Sequence, residues 1–243
     1  MNALKHLMQR SAAALLALAM ALLLLVQAQQ VHAETVHGIT ANAIFSVDSV
    51  SGGPATQLVT FTTPLAFAAT LATRPSDGML FYLDSGNANP NLWRWDPANP
   101  SLMPVLVGTP GATTTGVIRL GFDVFGNLYA MDSGVGTSIW TLDPNTGGIL
   151  SVTPASGFNG GNLTGGGDLC LHPTTGVLYM VSQAALYTLT PAGVVTLLGT
   201  ITGMNSTAAT GCAFDRNGKL VVSPVTSSTP SISARWWLLP CPI

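Results

Sequence analysis

Apolar and polar residues alternate in short runs, and the runs recur. "LFYLDSGNANPNLWRWDP" (80–97), "LYAMDSGVGTSIWTLDP" (128–144) and "LYMVSQAALYTLTP" (178–191) each read as an apolar-aromatic strand, a polar break, a second such strand and a Pro-containing turn. Period-two alternation over four to six residues, bounded by Gly, Asn, Asp and Pro, predicts half-buried β-strands joined by tight turns. A further short strand precedes each copy, in "ATRPSDGM" (72–79), "LGFDVFGN" (120–127), "CLHPTTGV" (170–177) and, for a later copy, "CAFDRNGK" (212–219). All four place a glycine two residues before the leucine that opens the next strand: Gly78, Gly126, Gly176 and Gly218. Glycine there supplies the positive φ that such turns require.

A fourth strand follows each Pro turn, in "SLMPVLVG", "GILSVTP" and "GVVTLLGT". The repeating unit is therefore a four-stranded meander, and its anchors Leu80, Leu128, Leu178 and Leu220 are 48, 50 and 42 residues apart. That period predicts an all-β, propeller-like fold with about four to five blades. Residues 36–61 fit the template only from its second strand onward, and the last copy reaches a third strand in "ARWWLLP" (234–240). The expectation is three full blades flanked by two partial ones. An irregular ring and a shortened version of a longer ring both account for this, and the irregular last copy favours the shortened ring.

The amino terminus departs from the pattern. Lys5 and Arg10 precede an apolar run from Ala12 to Val26, and Val31-His32-Ala33 follows a Gln-rich stretch. This is the three-part arrangement of a secretory signal peptide, expected to be cleaved after Ala33, with Ala28 the second choice. The domains predicted are thus a signal peptide over 1–33 and a propeller repeat domain over 34–243. Without Lys5 and Arg10, six of the eight basic residues stand against ten acidic ones, a formal charge of minus four. Nucleic acid is not an expected partner, since its binding rests on clustered Lys and Arg. No membrane span is expected after signal cleavage, and the expected localisation is secreted or periplasmic, with an unidentified ligand or protein there as partner.

The pattern "LYAMDS … IWTLDPNTGG" resembles bacterial secreted β-propeller repeat families with LYAxD and LYxIDPxTG units, many of unknown function. The resemblance covers roughly residues 36–240. It implies the propeller fold and leaves function open, because the matching positions are strand and turn residues.

Candidate chemistry is sparse. Asp84 and Asp132 follow second strands and open loops, and Asp168 ends the Gly-rich "GNLTGGGD". In a propeller these carboxylates are the candidate ligand-binding residues, with calcium as a weak cofactor possibility and no other cofactor expected. The competing reading makes Asp84 and Asp132 caps of their own turns and Asp168 part of a loop between blades. Asp123 and Asp215 are read as turn residues. His172 is read as structural, at the turn position of Arg74, Phe122 and Phe214.

The aromatic ladder Phe45, Trp93, Trp140, Tyr187 and Trp236 is expected to pack between blades, with Trp95 and Trp237 nearer the surface. The three cysteines, Cys170, Cys212 and Cys241, form no zinc spacing, and Cys170 and Cys212 are expected to be buried free thiols. Glu34 is the only glutamate and no GxSxG element occurs, so no catalytic residue is assigned. The function expected is an exported, non-catalytic binding or scaffolding propeller. The alternatives are a metal-dependent hydrolase or lactonase-like propeller and a truncated product without a function of its own.

Overall fold

The computed structural model describes residues 35–49, 54–65, 70–84, 90–111, 116–132, 137–157, 163, 166–202, 209–224 and 237–239. The predicted signal segment, Trp236 and Cys241 lie outside the described residues. The fold is all-β. Strands β1 (Thr35–Ile39), β2 (Ala43–Asp48) and β3 (Thr56–Thr60) form one three-stranded sheet. A second sheet contains β4 (Thr70–Thr73), β5 (Leu80–Leu83), β6 (Leu92–Trp95) and β7 (Val105–Gly108). The third holds β8 (Val117–Phe122), β9 (Leu128–Asp132), β10 (Ser138–Leu142) and β11 (Ile149–Pro154). The fourth holds β12 (Gly167–Leu171), β13 (Leu178–Ser182), β14 (Ala185–Leu189) and β15 (Val195–Thr200). The last is β16 (Ala209–Phe214), β17 (Leu220–Pro224) and β18 (Trp237–Leu239). Each sheet is an antiparallel meander, and together they make a β-propeller.

The leucine anchors hold the sheets together. Leu80, Leu128, Leu178 and Leu220 open the second strands and are all buried. Four apolar cores fill four seams between consecutive sheets; Leu120 and Phe122 of β8, for example, meet Phe81 and Leu83 of β5. The four turn glycines adopt the expected positive φ, 75° at Gly78, 85° at Gly126, 68° at Gly176 and 78° at Gly218.

The register identifies the strand that the first sheet lacks. Between third and fourth strands a bulge falls at Leu92/Trp93 and at Leu186/Tyr187, at the ladder aromatic, and in the third sheet two residues further on, at Thr141/Leu142. The first sheet carries the same bulge at Ile44/Phe45, between β2 and β3. β2 is therefore a third strand and β1 a second strand, so among the described residues no innermost strand pairs with β1. The last sheet complements it, with first, second and third strands.

Three expectations are corrected. Cys170 and Cys212 are joined by a disulfide, with S–S 2.12 Å and Cα–Cα 5.7 Å. The free-thiol expectation took the spacing of stacked sheets, about 10 Å, whereas innermost strands converge on the propeller axis. The same closeness shows at Gly121, where a Cβ would lie 2.5 Å from Leu169 Cβ. Trp95 is only 2% exposed, because it pairs across the sheet with Leu80 and buries against the same core; its Nε1 donates to the Leu102 carbonyl at 2.7 Å. His172 shares the place of Arg74, as expected, but its counterpart in the third sheet is Asp123, not Phe122. Its turn is one residue longer, closing His172 N to Val177 O where Asp123 N closes to Asn127 O, and its Nδ1 accepts from the N–H groups of Thr174 and Thr175.

At three described positions the ladder packs between blades as expected: Trp140 is buried in the core between the second and third sheets, Trp93 lies against the core between the first and second and stacks on Tyr82 of its own sheet with ring centroids 6.3 Å apart, and Tyr187 lies against the core of its seam. Phe45 is buried but belongs to none of these cores. Asp123 and Asp215 each accept two turn N–H groups on Oδ1, as turn residues should.

Candidate functional site

The innermost strands β4, β8, β12 and β16 stand side by side, and a cavity of about 220 Å³ opens among them and β1. Its wall is mostly backbone and hydroxyl: residues 36–41, Thr70, Gly166, Gly167, Thr210, Gly211 and Ser223 contribute, with Leu71, Ile118 and Ala213 as apolar patches. His37 also faces it, and burial lowers that imidazole's pKa, so the ring is neutral at pH 7.

Asp168 is the carboxylate on this cavity, and it is 7% exposed. Its Oδ1 accepts from Thr70 Oγ1 at 3.0 Å and from its neighbour's N–H, Leu169, at 2.9 Å. Its Oδ2 accepts the longer 3.4 Å bond from Cys212 N–H. One side chain on β12 thus ties β4 and β16 to it. Burial raises its pKa to about 7, while the bonds from Leu169, Thr70 and Cys212 pull the other way.

Asp84 and Asp132 do not reach the cavity. Asp84 accepts from the backbone and side-chain nitrogens of Asn91 and from Trp93 Nε1, each at 2.9 Å, closing the loop between β5 and β6. Asp132 accepts Ser138 N–H at 3.1 Å and closes the equivalent loop between β9 and β10. Burial is the main cause of its raised pKa. Among the described residues no three His, Cys, Asp or Glu side chains come together as a metal ion would need.

Sequence reasoning missed Arg119. This β8 side chain is fully buried, a rare state for arginine. It donates to the Asp132 carbonyl at 2.7 Å, to Ser182 Oγ at 2.9 Å and to the Val181 carbonyl at 3.4 Å. Burial lowers its pKa to about 10, and the charges of Asp168 and Asp132 oppose that shift. Gly167 makes the room, since a Cβ there would lie 2.6 Å from Arg119 Nε. The available signal was a lone cation at an inward position of the alternating strand "VIRLGF".

The cavity presents neutral donors and acceptors, a carboxyl group already bonded on both oxygens, and no described cation on its wall. Such a wall suits a neutral polar ligand or a polypeptide backbone.

No protein-family model matches the chain, and no curated protein matches it. Among solved structures it is similar to a protein of unknown function from Bacteroides thetaiotaomicron, with TM-score 0.53 and 16% identity over 79% of this chain and 54% of that one. It is also similar to a GH43 glycoside hydrolase whose engineered active site displays endo-xylanase and exo-arabinofuranosidase activity, with TM-score 0.57 and 15% identity over 84% of this chain and 49% of the hydrolase. A gluconolactonase from Xanthomonas campestris aligns with TM-score 0.48 and 15% identity, over 78% of this chain and 65% of that one. This chain spans about half the length of the first two. At such identities the likeness to the first two is one of fold alone.

Proposed function

We propose that the protein is an exported propeller domain that binds a ligand or partner outside the cytoplasm without transforming it. The observation that carries this reading is the use of Asp168: its oxygens are taken by Thr70, Leu169 and Cys212 in holding three innermost strands together. A carboxylate so engaged has little left for a cation or a reacting group. Export is supported by the three-part amino terminus and by the Cys170–Cys212 disulfide, a bond characteristic of oxidising compartments. Membership in the secreted propeller-repeat families rests on the LYAMD and LDPNTGG units. Of Asp84, Asp132 and Asp168, the last is the residue we place at the binding mouth.

The test is to melt the purified protein over a calcium titration while assaying lactone hydrolysis. The proposal expects a flat melting temperature and no turnover. Stabilisation that grows with calcium occupancy, lost when the three aspartates become asparagine, overturns it. One observation favours the hydrolase as a second reading: Thr70 Oγ1 donates to a carboxyl group whose pKa stands at about 7, a pairing of hydroxyl and base. That reading expects turnover abolished by Asp168→Asn.

A further inference from the structure

Four seams of the propeller are filled by apolar cores, but among the described residues none spans the first sheet and the last. The axial cavity borders this seam, with β1 on one side, β16 and Ser223 of β17 on the other, and β4, β8 and β12 completing its wall. We propose that the seam is a strand-addition site, which takes an extended, uncharged peptide segment of a partner along the inner edge of β1. This rests on the binding reading above and specifies its ligand.

The edge is built for pairing. The bond from Thr40 N–H to the Ala43 carbonyl fixes the alternation of the β1–β2 hairpin, so Val36 and Gly38 exchange bonds with Val47 and Phe45 of β2. The N–H and C=O groups of His37 and Ile39 then point the opposite way, into the cavity that residues 36–41 line without a break. In each complete sheet the second strand bonds a first strand on this side, as β5 does β4 and β13 does β12. β1 has the second-strand position and no such neighbour among the described residues. The inward N–H and C=O groups of His37 and Ile39, which meet no strand among the described residues, are a template for an added strand.

The wall sets the chemistry of the occupant. The facing His37 is neutral at pH 7 and the wall carries no described cation, so an acidic side chain entering here would be desolvated without a counter-charge, while Asp168 already uses both oxygens on the innermost strands. Glycines at 38, 166, 167 and 211 leave the cavity rim without side chains, so the entering backbone can approach closely. The fitting segment has uncharged residues, most of them small, like β4 and β16 among the chain's own innermost strands.

The probe is a capped six-residue peptide with the sequence of residues 209–214 and alanine in place of its cysteine, added to the full-length protein. Amide hydrogen exchange is read by NMR. Saturation should slow exchange at His37 and Ile39 at least tenfold and leave Val36 and Gly38, already bonded to β2, little changed. Two N-methylated forms of the peptide, each blocking one alternate set of N–H groups, provide the control: the form blocked on the β1-facing set should lose binding and the other keep it. No slowing at millimolar peptide, or equal binding by both forms, overturns the proposal. Slowing that depends on protein concentration without peptide overturns it in favour of a second copy as occupant. Calcium-dependent stabilisation or turnover would defeat the non-catalytic reading while the exchange at β1 still answered this one.

Discussion

Breaking the Cys170–Cys212 bond should weaken the domain by about 4 kcal/mol. The bond closes a loop with a sequence separation of 42, and the chain-entropy relation for a loop of this size gives about 13 cal/mol/K, or about 4 kcal/mol at 25 °C. For a domain of roughly 200 residues, each kcal/mol moves the melting temperature by about 2–4 °C, so a fall of about 8–16 °C is expected. The assay compares thermal unfolding of the oxidised protein, the same protein in reductant, and the Cys170→Ala/Cys212→Ala variant, after peptide mapping has identified the cross-linked pair. Reductant should have no further effect on the variant. Cys170 is nearly buried, so its truncation adds a small packing cost on top, and reduction alone isolates the cross-link. A melting temperature within about 2 °C of the oxidised protein under reductant, with the bond shown to be broken, would refute the reasoning.

Asp168 should give the domain a distinctive pH response. Its folded pKa of about 7 lies above the ordinary aspartate value of 3.8, so the folded state holds its proton more tightly. The stabilisation is full below about pH 4 and lost as pH rises towards 7. His37, with its pKa lowered, works in the opposite direction, so the readout is the difference from Asp168→Asn, whose melting temperature should fall less between pH 4.5 and 7.5. Arg119→Ala should cost about 2–6 kcal/mol, because it takes the donor from the half-buried Asp132 carbonyl and the buried Ser182 hydroxyl at about 1–3 kcal/mol each; chemical denaturation measures it, and a loss under about 1 kcal/mol contradicts the brace. Gly121→Ala should lower the denaturation midpoint sharply, since its Cβ would meet Leu169 Cβ at 2.5 Å. An unchanged midpoint would mean that β8 and β12 are further apart than described.

What was legible in the sequence was whatever a strand's local period encodes. Leu128 is buried because it opens a strand between two sheets, and Gly126 sits at φ 85° because a two-strand turn needs it; both are visible as spacing. That no first strand precedes β1 among the described residues was visible too, since aligning Phe45 with Trp93 makes β1 a second strand. Contacts around the axis were not legible. Period-two alternation says which face a residue occupies, not how near the same face of the next sheet comes, and so the disulfide and the Arg119 brace went unseen. Asp168 shows the same limit. Its position at the entry to an innermost strand was readable, but its bonds to Thr70 and Cys212 join residues 98 and 44 positions away.

Both the cavity and the strand-addition site depend on β1 presenting an open inner edge. Residue-resolved amide exchange of the unliganded protein tests that most directly. Val36 and Gly38, bonded to β2, should exchange at least tenfold more slowly than His37 and Ile39, which face the cavity. Equal, strong protection of all four would mean that a strand already pairs with the inner edge of β1, and the site described here would not exist.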